Sequence, residues 1–163
     1  MKRIWTIVLC AAAAICFAQL PGISADAAKL LPAQTLVISR HGDAVSIETD
    51  VGACGTGKTL SDALRQTARS AAGALFLDTA EYIVLTRDAW DLLPQLAREA
   101  QLRPAAKPVL CGQNVIAAQE ANEILQAHPT EATLAQTHAA LLRGEALRLR
   151  TLQRTQEGGW TLA

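Results

Sequence analysis

Residues 52–59, GACGTGKT, match the phosphate-binding P-loop pattern G-x-x-x-x-G-K-[ST] at every fixed position. In that motif a glycine-rich turn directs backbone N–H groups at phosphate oxygens, the lysine neutralises charge, and the hydroxyl binds Mg²⁺. If the chain binds a nucleotide, its cofactor-binding residues are therefore Gly52, Gly57, Lys58 and Thr59. A P-loop nucleotide-binding protein is therefore one alternative for the function.

The sequence around this segment favours a structural role instead. A P-loop follows a buried parallel strand of nearly continuous apolar residues, but residues 44–51, AVSIETDV, alternate between apolar and polar. The magnesium-binding aspartate of such proteins ends a later apolar strand, whereas YIVLT at residues 82–86 is followed by an arginine. The tetrapeptide TLSD predicts that Thr59 is a helix N-cap accepting a hydrogen bond from the N–H of Asp62. We therefore predict a strand-to-helix turn with a solvated Lys58 and no cofactor.

A second short motif, Arg40, His41 and Gly42 after an apolar run, is similar to the R-H-G of histidine phosphatases, in which the histidine is phosphorylated. In that family the motif leads into a loop and a helix, but here an alternating strand follows at once. The other histidines do not follow strands, since His128 is at a predicted helix end and His138 is inside a predicted helix. We predict an exposed histidine in a hairpin turn and no catalytic residue.

The cysteines and histidines show no metal-ligand spacing, and C-x-x-C, H-E-x-x-H and G-x-S-x-G are all missing from the sequence. We therefore predict no metal site. Beyond residue 27 the cysteines are Cys54 and Cys111, and an oxidising compartment would allow only this pairing. A disulfide between them is one expectation, because Cys111 ends a predicted strand that could neighbour the loop holding Cys54. Two buried thiols are the alternative.

Residues 1–27 have the three parts of a secretory signal peptide. Lys2 and Arg3 are basic, residues 4–17 are apolar, and Ala25-Asp26-Ala27 offers small residues at a cleavage site. The apolar stretch is short for a transmembrane helix, which needs about 20 residues. We expect export and a mature chain outside the cytoplasmic membrane, with an uncleaved membrane anchor as the alternative.

The composition suits one globular domain. Removal of the signal peptide leaves about 135 residues, enough for a core. Half of the chain is apolar, and 15 basic residues balance 15 acidic ones, so no basic surface for nucleic acid is predicted. The order β-β-α-β-α-β-α-α-β-β predicts a single α+β (or α/β) domain over residues 28–163, with helices packed against a mixed sheet.

Hydrophobic periodicity and turn residues give the individual elements. We expect a hairpin of strands 35–39 and 44–51, a loop at 52–58, a helix from Thr59 and a strand at 80–86. A helix at 87–102, with Asp88 as its cap, and a strand at 106–112 should follow. Helices at 114–128 and 130–144 and a final hairpin that turns at Gly158 and Gly159 complete the prediction.

Residues 55–91 resemble the N-terminal domain of the Ger(x)C family, the C subunits of bacterial spore germination receptors. That family has a G-K-T turn, a helix containing A-L-R, then L-F-L and a strand like YIVLT. The matching residues are Gly57, Lys58, Thr59, Ala63, Leu64, Arg65, Leu75, Phe76, Leu77 and residues 82–85.

This resemblance implies an exported, non-enzymatic protein that works in a membrane-associated receptor complex during germination. Its partners would be membrane-bound germination proteins, and its G-K-T would need no nucleotide. No small-molecule ligand can be identified from the residues. Family members are longer, so the chain would be a stand-alone relative or a truncated one. The alternatives are the nucleotide-binding protein and a secreted domain of unrelated function.

Overall fold

The structure, a computed structural model, describes residues 29–112 and 115–163. Residues Leu31–Ala163 form one compact unit. The predicted signal peptide, its cleavage site and the alternative anchor lie outside the described residues. Among the helices of the described ranges, none has the length and apolar character needed to cross a membrane.

A seven-stranded mixed sheet organises the fold, with the order β4-β3-β2-β6-β7-β8-β9. Strands β2, β6, β7 and β8 are parallel, while antiparallel hairpins add β3 and β4 at one edge and β9 at the other. β1 and β5 pair separately. The strands are β1 Leu30–Pro32, β2 Thr35–His41, β3 Ala44–Thr49, β4 Cys54–Gly57, β5 Ala74–Phe76, β6 Tyr82–Thr86, β7 Lys107–Cys111, β8 Thr151–Arg154 and β9 Trp160–Leu162.

Four α-helices of the described residues connect these strands and cover the sheet. They are α1 Leu60–Ser70, α2 Leu93–Leu96, α3 Ala118–Ala127 and α4 Leu134–Leu142, with 3₁₀ turns at Leu77–Thr79 and Arg87–Leu92. The predicted single α+β domain with a mixed sheet is confirmed, as are the hairpins β2–β3 and β8–β9.

Several local predictions were wrong. The expected loop at 52–58 contains strand β4, because its glycine-rich chain pairs with β3. The expected helix at 87–102 is a 3₁₀ turn followed by the short α2, because Pro94 lacks an N–H and is tolerated only in a helix's first turn. Asp88 lies inside that 3₁₀ turn and does not cap it. The third helix begins at Ala118 rather than at residue 114.

The two faces of the sheet are covered by different helices. On the first face, Ile38, Ile83 and Leu85 belong to a core shared with α1, α2 and α4. On the second face, Val37, Val84, Val109 and Leu152 pack with residues of α3, the one described α-helix that contributes to this cluster. Because β6 is buried on both faces, its residues 82–85 form a continuous hydrophobic run rather than an alternating one.

An ion pair joins β6 and β7 at their amino ends. Lys107 Nζ lies 2.9 Å from Glu81 Oε1 and 5.2 Å from the centroid of the Tyr82 ring. The hydrogen bond from Lys107 lowers the pKa of Glu81 below 4.5, and the same bond raises the pKa of Lys107 above 10.5. Both shifts favour the charged pair in the folded state.

Replacing Lys107 by methionine should lower the free energy of unfolding by about 0.5–1 kcal/mol near pH 7. Glu81 contributes stability above its unfolded pKa, and this contribution is lost as pH falls through its lowered folded pKa. Lys107 contributes stability below 10.5, which is lost as pH rises through its raised folded pKa. Urea unfolding at pH 3, 7 and 11 should therefore show the largest difference in unfolding free energy between the wild type and Lys107→Met at pH 7. A difference that does not change with pH would contradict the assignment.

Candidate functional site

The segment GACGTGKT does not form a phosphate-binding loop in this structure. Residues Cys54–Gly57 are the extended strand β4, paired antiparallel to β3 at the edge of the sheet. Gly52 has φ +80° in the preceding turn, Gly57 ends β4, and the Lys58 side chain is exposed. The four candidate cofactor-binding residues are therefore spread over a turn, an extended strand and the start of a helix.

The glycines of β4 allow helix α1 to lie directly on the strand. A Cβ atom added to Gly55 would lie 2.3 Å from the backbone nitrogen of Thr67, and one added to Gly57 would lie 2.5 Å from the backbone nitrogen of Ala63. Neither glycine has a positive φ. Their role is close backbone approach rather than turning freedom or phosphate binding.

Thr59 is the N-cap of α1, as predicted. Its Oγ1 accepts a hydrogen bond from the Asp62 N–H at 3.1 Å and donates one to Asp62 Oδ2 at 2.8 Å. The hydroxyl that would bind Mg²⁺ in a P-loop is thus engaged within the first turn of the helix.

Thr59→Ala should cost about 1 kcal/mol of stability, and Thr59→Ser should cost less because serine caps equally well. Lys58→Ala is the matched control next to it, and it should change stability by no more than about 0.5 kcal/mol because the side chain is exposed. Chemical unfolding of the three variants measures these differences. Equal losses for Lys58→Ala and Thr59→Ala would contradict the capping role.

The R-H-G motif lies at the end of β2. His41 is exposed, and Gly42 has φ +60° in the turn that leads directly into β3. The predicted exposed histidine in a hairpin turn is confirmed. His128 is the C-cap residue of α3 and His138 lies inside α4. Within the described ranges, no group of three or more His, Cys, Asp or Glu side chains could hold a metal ion.

Cys54 and Cys111 are too far apart in the sheet for the expected disulfide. Cys54 is exposed on β4 and Cys111 is buried on β7, with β3, β2 and β6 between them. Four strand spacings of about 4.8 Å amount to roughly 19 Å, while a disulfide requires Cα atoms about 4.4–6.8 Å apart. Burial raises the pKa of the Cys111 thiol and so disfavours its thiolate. The alternative of two buried thiols is also wrong for Cys54.

A polar cleft lies at the carboxyl ends of the parallel strands, where open α/β sheets commonly bind ligands. It has a volume of about 380 Å³, within the roughly 300–1,000 Å³ range of small-molecule sites. Its lining comprises Ser39, Arg40, His41, Thr86, Arg87, Asp88, Gly112 and Val115. This group of residues, which we call the carboxyl-end cleft, is not among the sites expected from the sequence.

Hydroxyl and arginine side chains meet in this cleft because β2 and β6 are parallel neighbours. Ile38 pairs with Leu85, and Ser39 and Thr86 are the next residues of the two strands. Both hydroxyl residues are buried, and each is followed by an arginine, in SRH and TRD. This repeated hydroxyl–arginine pair is the sequence signal for the cleft, but it has meaning only once the two strands are known to be adjacent.

An apolar groove of about 420 Å³ lies near the carboxyl-end cleft. Asp91 lines the groove and Arg40 lines the cleft, and their side chains form an ion pair in which Arg40 Nη2 lies 3.1 Å from Asp91 Oδ2. Trp90 contributes an indole that is 39% exposed, held by a hydrogen bond from Nε1 to the Leu85 carbonyl at 3.2 Å. Leu142, next to the groove residue Leu141, is 72% exposed. The other lining residues are Leu93, Pro94, Leu110, Leu147 and Leu149.

Comparison with known proteins gave no match. No family model matches the chain, no curated protein sequence matches it significantly, and no solved structure does.

Proposed function

We propose that the chain is an exported, non-enzymatic protein that acts through protein–protein contacts in a membrane-associated complex, as the germination receptor C subunits do. The observation that carries the proposal is the role of the G-x-G-K-T segment. Its glycines permit the contact between β4 and α1, and its threonine caps α1. The segment that suggested a nucleotide therefore has a complete structural explanation, which agrees with a family that carries G-K-T without one.

The resembling residues also form a continuous part of the fold. Residues 55–91 run from β4 through α1 and β5 to β6 and the 3₁₀ turn after it. Arg65 of the A-L-R match is exposed on α1, while Ala63 and Leu64 of the same match are buried against the sheet. A resemblance that follows a packed supersecondary unit supports a shared fold more strongly than scattered identities would.

Exposed apolar side chains support a role in protein contact. Trp90 lines the apolar groove, Leu142 follows the lining residue Leu141 in α4, and tryptophan is enriched at the energetic centres of interfaces. A large part of both side chains is exposed to solvent and is therefore free to contact a partner. We assign the contact with a membrane-bound germination protein to this surface.

In vivo crosslinking in the native host tests the proposal. The full-length protein should crosslink to a membrane protein encoded with spore germination genes. Leu142→Asp should abolish the crosslink without changing thermal stability. Val51→Asp, at another exposed apolar position on the turn before β4, should retain it. A partner unrelated to germination would favour the secreted domain of unrelated function.

Two further readouts separate the proposal from its alternatives. N-terminal sequencing of the protein from the cell should find a start near Ala28, and an intact Met1 on a cytosolic product would contradict export. Millimolar Mg²⁺-ATP or Mg²⁺-GTP should leave the melting temperature unchanged. A rise of several degrees that disappears in Lys58→Ala would establish nucleotide binding instead, because a ligand of the folded state stabilises it by mass action.

A further inference from the structure

The carboxyl-end cleft contains polar atoms that have no partner in the protein. Buried side-chain N and O atoms without a hydrogen-bond partner in the described residues are Arg40 Nε, Thr86 Oγ1, Thr130 Oγ1 and His138 Nε2. Two of these atoms, on Arg40 and Thr86, belong to residues that line this one cleft. Buried polar groups are normally paired, so the cleft is built to receive a further polar partner.

The chemistry of the lining indicates what that partner is. Arg40 Nε can only donate a hydrogen bond, and the hydroxyls of Ser39 and Thr86 can also donate. Arg40 is already bound through Nη2 to Asp91, but Arg87 has no acidic partner within 4 Å among the described residues. Arg87 lines the same cleft and is exposed, whereas Thr86, the residue before it, is buried. Unused donors in a cleft that is also lined by this arginine fit an acceptor with negative charge.

We propose that the carboxyl-end cleft binds a small oxyanion, a carboxylate or a phosphate, held by the guanidinium of Arg87 and the hydroxyl of Thr86. The oxyanion accepts hydrogen bonds from both groups, and Ser39 lies in register on the neighbouring strand to contribute a third donor. Asp88 on the rim disfavours ligands of high negative charge through repulsion. The proposal does not rest on the protein-contact function, since it concerns different residues.

Amide chemical-shift titration of the ¹⁵N-labelled full-length protein tests the site. Inorganic phosphate and acetate are the two probes, and sodium chloride at matched ionic strength is the blank. Saturable shifts should be confined to residues 39–41, 86–88 and 112 for one probe or both. The probe that binds more tightly distinguishes a phosphate ligand from a carboxylate ligand.

Variants at the proposed contacts give the decisive comparison. Arg87→Gln should weaken binding at least tenfold, whereas Arg98→Gln, at another exposed arginine with no ion pair to any described residue, should not. Thr86→Val should weaken binding severalfold and yet raise the melting temperature of the ligand-free protein, because it removes an unpaired buried hydroxyl. Thr130→Val removes an equivalent hydroxyl from outside the cleft and should leave binding unchanged.

Two results would overturn the proposal. One is the lack of any saturable chemical-shift change at the cleft with either probe at tens of millimolar. That result would mean that trapped water forms the hydrogen bonds of Arg40 and Thr86. The other is unchanged affinity in Arg87→Gln, which would place the bound anion elsewhere.

Discussion

Replacing Gly55 by alanine is expected to destabilise the protein by about 3 kcal/mol or more, a large loss for a single methyl group. The new Cβ would lie 2.3 Å from Thr67 N, 2.6 Å from Thr67 Oγ1 and 2.8 Å from the Ala63 carbonyl oxygen. Two of these three atoms are backbone atoms of α1, so no side-chain rotation relieves the overlap. The helix must move away from β4, which opens the core around Leu64. Denaturant unfolding measures the loss.

This variant also distinguishes a structural role of residues 52–59 from a P-loop role. Gly55 occupies one of the freely variable positions of G-x-x-x-x-G-K-[ST], where a P-loop sets no requirement. Gly159→Ala is the matched control, since its nearest atom would be 3.5 Å away and its φ is not positive. It should stay within about 1 kcal/mol of the wild type. A tolerated Gly55→Ala would show that α1 does not pack on β4 at this distance.

Leu125→Ala is expected to cost about 3 kcal/mol and to loosen α3 selectively. Leu125 is fully buried in the second-face core with Val37, Val84 and Val109, and removing its side chain loses transfer free energy and leaves a cavity. Leu142→Ala, at a leucine that is 72% exposed, is the matched control and should change stability by no more than about 0.5 kcal/mol.

Amide hydrogen exchange tests whether Leu125→Ala loosens α3 before the other helices. Three polar contacts of the described residues also hold α3, from Ala118 N to Glu48 Oε1 at 3.0 Å, from Thr35 Oγ1 to Asn122 Oδ1 at 2.9 Å, and from Gln126 Nε2 to Gln34 Oε1 at 3.3 Å. They are too few to keep α3 docked without its apolar anchor. In Leu125→Ala the amides of α3 should lose protection before those of α1, which packs on the other face. Equal loss in both helices would show that the two faces unfold as one unit.

Local patterns in the sequence determined most of the elements of this fold. The alternation in residues 44–51, the apolar run 82–86 and the glycines at 158 and 159 were enough to predict β3, β6 and the last hairpin. The TLSD box was enough to predict the N-cap at Thr59, because capping depends on residues only three positions apart. These features have short-range causes, so the sequence contains what is needed to recognise them.

The tertiary structure decided the features that depend on contacts between distant residues. Strand β4 was not recognised because two of its four residues are glycine, a residue depleted in strands, and its extended form depends on pairing with β3 and on the approach of α1. The disulfide was expected from a count of cysteines, but strand order places three strands between Cys54 and Cys111. The carboxyl-end cleft joins residues 39–41 to residues 86–88 only because β2 and β6 are parallel neighbours. Strand order is set by the burial of both faces of the whole sheet, and no local stretch of sequence specifies it.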